Sequence, residues 1–251
     1  MQNKDENKKK AFLNEGYFVY QDLFDLEFIK NILKNIDDAK DTLKYFDNKN
    51  HLRRIEKLYD KGVFLNELNF KILTILETIF EQKFVIFKDK FNAKPPGGEG
   101  FFAHFDGIFN FIDENNIKKD GWYEYGDFFI NVLIALDECN EKNGTIELSK
   151  IHEGSFNDLL RKTKNNGTPE LNKKTLETLS FKSIDLKVGD VVVFSNKCPH
   201  KSKINNSNKN RRVLYYTYTP FINGSKYNQY FTDKEKSKNP LKALEEKKSS
   251  F

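Results

Sequence analysis

From residue 84 onward the chain is built of short apolar or aromatic runs separated by Gly, Asn and Pro residues. Alternation and β-branched content predict strands at 84–94, 128–136, 145–148, 191–194 and 211–219. Turn sequences such as Pro95-Pro96-Gly97-Gly98 and Asn143-Gly144 bound these runs. A series of short strands without helical periods between them indicates a β-sandwich or barrel rather than alternating βαβ units.

The first 80 residues differ because they carry the helical period. Gly16 ends a short helical stretch, and the aromatic segment 17–20 predicts a strand. Asp25 is the predicted N-cap of a helix that continues to about Ile36, and a second helix is predicted over 65–80. We expect both helices to pack on the β core, so the predicted fold class is mainly β with flanking α-helices.

The length of 251 residues suits one β-rich domain, and a hydrophobic content of 38% with 24 Phe is enough for a packed core. The basic run Lys8-Lys9-Lys10 predicts a flexible N-terminal tail over 1–10. We expect a single domain over 11–225 and a polar C-terminal extension over 226–251, whose run Lys247-Lys248 also predicts a frayed end.

Charge and cysteine content exclude several classes of protein. The net charge is +5, but most basic residues are lysines interleaved with acids, which favours solvated faces over a nucleic-acid surface. Cys139 and Cys198 are far apart without a CxxC pair, so we expect no disulfide framework and no structural zinc. No apolar leader or membrane-length run is visible. We therefore expect a cytoplasmic protein that binds neither membranes nor nucleic acid.

Four histidines are present, and two of them form a pattern with an aspartate. In His104-Phe105-Asp106 the imidazole and carboxylate leave an extended chain on the same face, and His200 follows a buried strand. Two imidazoles and one carboxylate can hold one face of a ferrous ion and leave positions open for a co-substrate and dioxygen. The other two histidines, His51 in a polar stretch predicted to be helical and His152 in a turn, are interpreted as structural.

A lone H-x-D pattern more often marks a partly buried loop histidine than a metal ligand, so the surrounding residues decide. Arg211 follows His200 and offers a planar fork for the distal carboxylate of a keto acid. Arg212 is the competing choice, because strand alternation sends the two arginines to opposite faces.

Several motifs in the same order resemble those of the phytanoyl-CoA dioxygenase-like oxygenases. The segment His200-x-Ser202-x-x-Asn205-x-Ser207-x-x-x-Arg211 is similar to the distal-histidine signature of the family, with Lys201 in a position that is glycine there. The strand 188–194 resembles the one that precedes that histidine, and 94–107 resembles the proximal half of the site. The resemblance covers roughly residues 10 to 222.

This resemblance implies a double-stranded β-helix (jelly roll, cupin-like) core and three roles near the metal. His104, Asp106 and His200 would bind Fe(II), and Arg211 would bind 2-oxoglutarate together with Ser202. The spacing from His200 favours Arg211 over Arg212. The family also often places a polar residue at the position of Asn92 in contact with the keto acid.

The implied activity is that of a non-haem Fe(II)- and 2-oxoglutarate-dependent dioxygenase that uses O2. Asp106 favours hydroxylation over chlorination, because related halogenases replace this carboxylate by a small residue. We expect hydroxylation of a small-molecule metabolite or natural-product intermediate, with succinate and CO2 as co-products. Two alternatives are an inactive jelly-roll ligand-binding protein and a demethylase of a macromolecule, although no Arg cluster supports the latter.

Three residues are candidates for substrate contact. Asn131 is a polar residue inside an apolar strand, Trp122 lies in a long loop that could cover the site, and Lys94 could attract an anion. For at least two of Lys88, Lys90 and Lys94 a solvated strand face is expected. The sequence does not specify the substrate, and we expect a monomer or weak homodimer.

Overall fold

The computed structural model describes residues 2–164 and 167–237 of the chain. The helices in these ranges are α1 Gln2–Glu15, α2 Leu26–Asp38, α3 Val63–Phe80, α4 Phe156–Leu160, α5 Lys173–Leu176 and α6 Tyr227–Lys236. The strands are β1 Tyr17–Tyr20, β2 Leu43–Phe46, β3 Leu52–Glu56, β4 Phe84–Lys94, β5 Phe101–His104, β6 Phe111–Ile112, β7 Lys118–Lys119, β8 Ile130–Ala135, β9 Ile146–Leu148, β10 Lys182–Ser183, β11 Val191–Ser195, β12 His200–Ser202 and β13 Arg211–Pro220. Short 3-10 turns lie at Gly121–Glu124, Glu141–Asn143 and Phe221–Asn223.

Two antiparallel sheets form the core. The seven-stranded major sheet has the order β1-β11-β8-β13-β4-β3-β2, and the four-stranded minor sheet has the order β10-β9-β12-β5. Strands distant in sequence are therefore neighbours, as β13 is between β8 and β4. The mainly β class with flanking helices, predicted from the short strands and turns, is confirmed.

The two faces of the major sheet pack against different partners. Along β8, Val132 and Ile134 belong to the cluster shared with helices α2 and α3, whereas Leu133 and Ala135 belong to the cluster that includes Ile146 of the minor sheet. This alternation follows from the two-residue period of a strand. The helices thus cover one face, and the other face looks into the space between the sheets.

The predicted N-terminal helices are present. Asp25 caps α2, and its side chain accepts a hydrogen bond from the backbone N–H of Phe28. Ile29, Ile32 and Ile36 lie on the buried face of α2, as the helical period predicts. The helix predicted over 65–80 is α3, Val63–Phe80.

Both chain ends contain helices where the sequence predicted polar extensions. Residues 2–10 belong to α1 rather than to an unstructured tail, and Phe12 anchors this helix because its side chain is buried in the main core. Helix α6 lies within the predicted C-terminal extension, and its Tyr227, Tyr230 and Phe231 are buried in the same core. The run Lys247-Lys248 lies outside the described residues.

The hairpin β2–β3 was missed by the sequence analysis. His51, predicted to be helical, lies in the turn before β3, where its backbone N–H donates to Asp47 Oδ1. The strand pattern is hard to recognise because Arg54 and Glu56 of β3 are buried polar residues rather than apolar ones. This hairpin extends the major sheet beside β4.

Candidate metal centre and co-substrate pocket

His104, Asp106 and His200 converge between the two sheets. His104 ends β5, His200 begins β12, and the two are directly paired in the minor sheet, with ring centroids 4.1 Å apart. The Nε2 atoms of His104 and His200 lie 3.7 and 3.5 Å from carboxylate oxygens of Asp106. One ligand atom from each of the three buried residues falls within 4.8 Å of the others, which is the spacing of donors around one metal ion.

Backbone carbonyls orient both imidazoles. Nδ1 of His104 lies 2.9 Å from the carbonyl oxygen of Phe102, and Nδ1 of His200 lies 3.0 Å from that of Cys198. A carbonyl oxygen only accepts, so each Nδ1 carries the hydrogen and donates it. In the neutral ring Nε2 then presents a lone pair to the centre, which is the tautomer that a metal ligand requires.

A chain of hydrogen bonds from the major sheet orients Asp106. Asn131 Nδ2 on β8 donates to Asp106 Oδ2 at 3.0 Å, and Thr217 Oγ1 on β13 donates to Asn131 Oδ1 at 2.8 Å. The carbonyl of Asn131 is thereby occupied, which fixes the amide with its NH2 toward the carboxylate. Asn131, predicted to face the cavity and contact substrate, lies on the face of β8 that looks into the space between the sheets, and its side chain contacts Asp106.

The protonation states match a metal site. Burial would raise the pKa of Asp106, but the neighbouring His200 and His104 imidazoles outweigh it and hold this pKa well below its ordinary value. Burial, reinforced by the neighbouring His104, lowers the pKa of His200 to about 3. An ionised Asp106 and a neutral His200 are the forms that bind a metal ion, and the residues present fit a divalent iron ion.

The loop after Asp106 is held by backbone contacts and by Trp122. Asp106 N–H donates to the Asn196 carbonyl at 3.1 Å. Gly107 adopts φ +77°, and a Cβ there would lie 2.7 Å from Trp122 Cγ, so only glycine fits this turn. Trp122 is 4% exposed and packs edge-on against Phe87 and Phe129. It lies in the hydrophobic core, so the prediction that it stacks on substrate is wrong; the indole supports the ligand loop.

A pocket opens beside the metal residues. Its lining includes both histidines and polar side chains from β3, β4, β12 and β13: Arg53, Arg54, Lys90, Asn92, Lys94, Ser202 and Arg211. Among the described lining residues Glu99 is the single acid, against six Lys and Arg side chains, so basic residues predominate in the wall. Apolar contact comes from Phe101, Ile146 and the aromatic rings of Tyr45 and Tyr215.

The two adjacent arginines of β13, Arg211 and Arg212, have different surroundings. Arg212 points away from the pocket, where its Nε and Nη2 each donate to the Asp137 carboxylate at 2.8 Å. Arg211 is buried, lines the pocket, and its Nε has no hydrogen-bond partner among the described residues. A buried guanidinium N–H without an acceptor is costly unless a ligand supplies one. The geometry therefore favours Arg211 over Arg212 as an anion ligand.

Lys94 lies at the Arg211 end of the pocket. Its Nζ donates to Ser202 Oγ at 2.9 Å and to the Gly144 carbonyl at 3.1 Å. Burial, together with the charge of Arg211, lowers the pKa of Lys94 to about 6. The sequence assigned Lys94 to the substrate, whereas the structure places it with Ser202 and Arg211, the residues assigned to the co-substrate.

The expectation of a solvated face for the β4 lysines is wrong. Lys88 and Lys94 are each 6% exposed, and Lys90 is half-buried in the pocket wall. Lys88 Nζ donates to Tyr230 Oη at 3.1 Å, which ties β4 to α6. The face is polar because it forms the inner wall of the sandwich.

Asn92 and the missed β2–β3 hairpin form the opposite side of the pocket. Asn92 Oδ1 accepts from Arg54 Nε at 3.2 Å, and Arg54 Nη1 lies 3.4 Å from Glu56 Oε1. Asn92, predicted to contact the keto acid, lines the pocket, and its amide oxygen is engaged by Arg54. Tyr45, Arg53 and Arg54 were not predicted as site residues, because the strand alternation there is masked by polar side chains.

Cys139 and Cys198 are both free and buried. His152 stacks edge-on against Phe105 and is not among the grouped metal donors of the described residues. Within the described ranges, none of the helices has the length and apolar character needed to cross a bilayer.

Comparison with known proteins identifies relatives over most of the chain. The profile of the phytanoyl-CoA dioxygenase (PhyH) family matches residues 12–213. The chain is 27% identical over 236 residues to a 2-aminoethylphosphonate dioxygenase from an uncultured bacterium, covering 90% of this chain and 81% of that protein. It is 30% identical over 154 residues to a methylphosphonate hydroxylase from Gimesia maris, covering 61% of this chain and 52% of that protein.

Solved structures share the fold. EctD from S. alaskensis, solved with 2-oxoglutarate and 5-hydroxyectoine, superposes with a TM-score of 0.67 at 16% identity, covering 86% of this chain and 76% of EctD. The epimerase SnoN, solved with Fe3+ and α-ketoglutarate, superposes with a TM-score of 0.66 at 12% identity, covering 87% of this chain and 84% of SnoN. The predicted cupin-like double-stranded β-helix is thereby confirmed. The chain belongs to the phytanoyl-CoA dioxygenase (PhyH) family.

Proposed function

We propose that the protein hydroxylates a small-molecule metabolite, with 2-oxoglutarate converted to succinate and CO2. The observation that carries this proposal is the buried His104–Asp106–His200 group next to a buried arginine whose Nε lacks a partner among the described residues. The His104–Asp106–His200 group offers three metal donors, and the arginine, Arg211, offers a cation that can bind a carboxylate. Together they match the needs of an iron-bound keto acid.

His104, Asp106 and His200 would hold Fe(II), which supplies dioxygen activation coupled to the oxidative decarboxylation of 2-oxoglutarate. The protein orients these ligands through the Phe102 and Cys198 carbonyls. The retained Asp106 carboxylate supports hydroxylation over halogenation, because it occupies a ligand position that a halide would otherwise need.

Arg211, Lys94 and Ser202 would bind the distal carboxylate of 2-oxoglutarate. Lys94 Nζ contacts Ser202 Oγ and the Gly144 and Lys203 carbonyls, so Lys94 would contribute charge to a carboxylate at Arg211, and Ser202 would donate its hydroxyl hydrogen. In this proposal Lys94 binds the co-substrate, whereas the sequence analysis assigned it to the substrate. Asn131 acts on substrate only indirectly, through Asp106, and Asn92 contributes by positioning Arg54.

Phosphonic acids are the first substrates to test. Two relatives are named for activity on 2-aminoethylphosphonate and methylphosphonate. The cationic pocket wall is compatible with such compounds. We further propose a cytoplasmic enzyme, in agreement with its two free buried cysteines, acting as a monomer or weak homodimer.

The test is a screen for substrate-stimulated succinate release by the Fe(II)-loaded protein with 2-oxoglutarate and O2. A library of small acids, with the two phosphonates included, should contain at least one compound that raises succinate release well above the uncoupled rate. That compound should gain one oxygen atom, as measured by mass spectrometry. If 2-oxoglutarate is never consumed with any compound, the inactive ligand-binding alternative is favoured instead.

A further inference from the structure

Lys90 occupies the centre of the pocket wall. It lies in the middle of β4, opposite Tyr215 of β13, and on the same strand face as Asn92 and Lys94. Its side chain lines the same pocket as His104 and His200, and its Nζ lies 4.5 Å from the centroid of the Tyr215 ring. The ammonium group is therefore directed into the space next to the metal residues.

Lys90 differs from Arg53, Arg54 and Lys201 of the same pocket in having no carboxylate partner among the described residues. Arg53 lies 3.5 Å from Asp47, and Lys201 lies 3.5 Å from Glu147. Within the described residues, 2–164 and 167–237, Lys90 forms no ion pair and no hydrogen bond. Its ammonium group lies over the face of the Tyr215 ring.

The charged groups around Lys90 do not balance the positive charge of its ammonium group. Burial lowers its pKa to about 7, and the attraction of Asp106 does not offset this effect because Arg54 and Lys88 add repulsion. A half-buried ammonium without a counter-charge costs free energy that an incoming anion would recover. Lys90 is thus suited to a negatively charged ligand.

The co-substrate does not account for this cation. 2-Oxoglutarate has two carboxylates, of which one would lie at the metal and the other at Arg211 with Lys94 and Ser202. Both of its charges are then matched without Lys90. The positive charge that the co-substrate leaves unmatched is that of Lys90 on β4, and Arg54 of β3, which pairs with Glu56, lines the same pocket.

We propose that Lys90, with Arg54 beside it, binds an anionic head group of the substrate. The substrate class is then a small organic acid whose oxyanion sits on the β3–β4 side, with its reacting carbon toward the metal residues. The aromatic ring of Tyr215 and the side chain of Ile146 form the apolar part of this subsite. This inference rests on the proposed function, and it adds the charge of the substrate and the residue that selects for it.

Calorimetric titration of the anaerobic Fe(II)–2-oxoglutarate protein tests the inference without turnover. The probes are methylphosphonate and 2-aminoethylphosphonate, propionate as the carboxylate arm, and dimethyl methylphosphonate as the uncharged arm. At least one acid should bind to the wild type, and the neutral diester should bind at least tenfold more weakly than methylphosphonate if the phosphonate is the accepted acid. Binding of phosphonate without propionate identifies a tetrahedral oxyanion, and the reverse identifies a carboxylate.

Three variants separate the role of Lys90 from a general effect of charge. Lys90→Met should weaken binding of the accepted acid by about tenfold or more, since it removes a charged hydrogen bond, while 2-oxoglutarate affinity stays within about twofold. Lys90→Arg should restore most of the acid binding. Lys44→Met, on an exposed site of the adjacent hairpin, changes the net charge equally and should leave acid binding unchanged.

Two results would overturn the inference. One is equal acid affinity in the wild type and Lys90→Met, and the other is a wild-type Fe(II)–2-oxoglutarate protein that binds the uncharged diester as well as any acid. Failure of the proposed function has a different signature, because the Fe(II)–2-oxoglutarate protein would then not assemble before any acid is added.

Discussion

Arg211 and Arg212 are neighbours in β13, yet they serve opposite faces of the major sheet. Arg212 is bound by both oxygens of Asp137, whereas Arg211 is buried beside Lys94 with its Nε unsatisfied within the described part of the chain. The alternation of a strand produces this division, and the Asp137 carboxylate decides which arginine is occupied. One arginine is thus structural and the other is available to a ligand.

We predict that Arg211→Ala raises the dissociation constant of 2-oxoglutarate by about tenfold to a hundredfold, because it removes charge-assisted hydrogen bonds. Arg212→Ala should leave this constant within about twofold and lower the melting temperature slightly, since its ion pair is partly exposed. Anaerobic equilibrium titration of both variants with 2-oxoglutarate measures the difference. The reverse ranking would reassign the anchor to Arg212.

Lys94 should make 2-oxoglutarate binding dependent on pH. Its pKa of about 6 means that the amine is largely neutral at pH 7.5 before the carboxylate arrives. A bound carboxylate raises this pKa, so binding takes up a proton, and affinity falls as the pH rises above about 6. Calorimetry in buffers of different ionisation enthalpy should detect this uptake in the wild type and not in Lys94→Met. Equal proton uptake in the two proteins would exclude Lys94 as its source.

Asn131 should control metal affinity although it donates to no metal itself. Removing its hydrogen bond to Asp106 in Asn131→Ala frees the carboxylate to rotate, and we expect iron affinity to fall about tenfold to a hundredfold. Thr217→Val, one step further along the chain of hydrogen bonds, should produce a smaller loss. Titration with Co(II) as an oxygen-stable reporter measures both. Unchanged affinity in Asn131→Ala would show that Asp106 is oriented by other contacts.

The buried pair Glu56–Lys234 should couple stability to acid pH. Burial favours the protonated carboxyl, but Lys234 and Arg54 outweigh it and lower the pKa of Glu56 from 4.5 to about 2. The folded-state pKa lies below the unfolded one, so this stabilisation is present above about pH 4.5 and is lost as the pH falls toward 2.

The matching variant is Glu56→Gln, which removes the carboxylate charge paired with the buried Lys234 ammonium. We expect a loss of about 3–5 kcal/mol near pH 7, with the difference from wild type shrinking as the pH falls from 4.5 toward 2. Denaturant unfolding at a series of pH values measures this gap. A gap that stays constant over that window would mean that Glu56 titrates alike in the folded and unfolded chain.

Much of this site was predictable from the sequence because its chemistry restricts residue type. Few side chains can replace an imidazole or a carboxylate at iron, so His104, Asp106 and His200 could be selected from four histidines and their neighbours. The polarity of Asn131 within an apolar strand also indicated that its side chain faces inward. Its exact partner could not be predicted, because Asp106 and β8 approach each other only through the fold.

The errors have a common physical origin in inward-facing polar residues. Arg54 and Glu56 of β3, and Lys88 and Lys94 of β4, are buried in a polar wall, whereas a sequence pattern assigns such residues to solvent. Trp122 was assigned to a ligand-covering loop although it is buried in the core, because an aromatic residue in a loop can serve either role. Its contact with Gly107 becomes visible only in three dimensions.

The central claim is an iron centre at His104, Asp106 and His200. Its most direct test is an anaerobic titration with Fe(II) and then 2-oxoglutarate, monitored by the visible charge-transfer absorption of the iron–keto acid complex. The wild type should develop this absorption at one iron and one 2-oxoglutarate per chain. His200→Ala should lose it, and His152→Ala, which changes a histidine outside the metal group, should retain it. Absence of the absorption in the wild type, or equal absorption in His200→Ala, would contradict an iron centre at His104, Asp106 and His200.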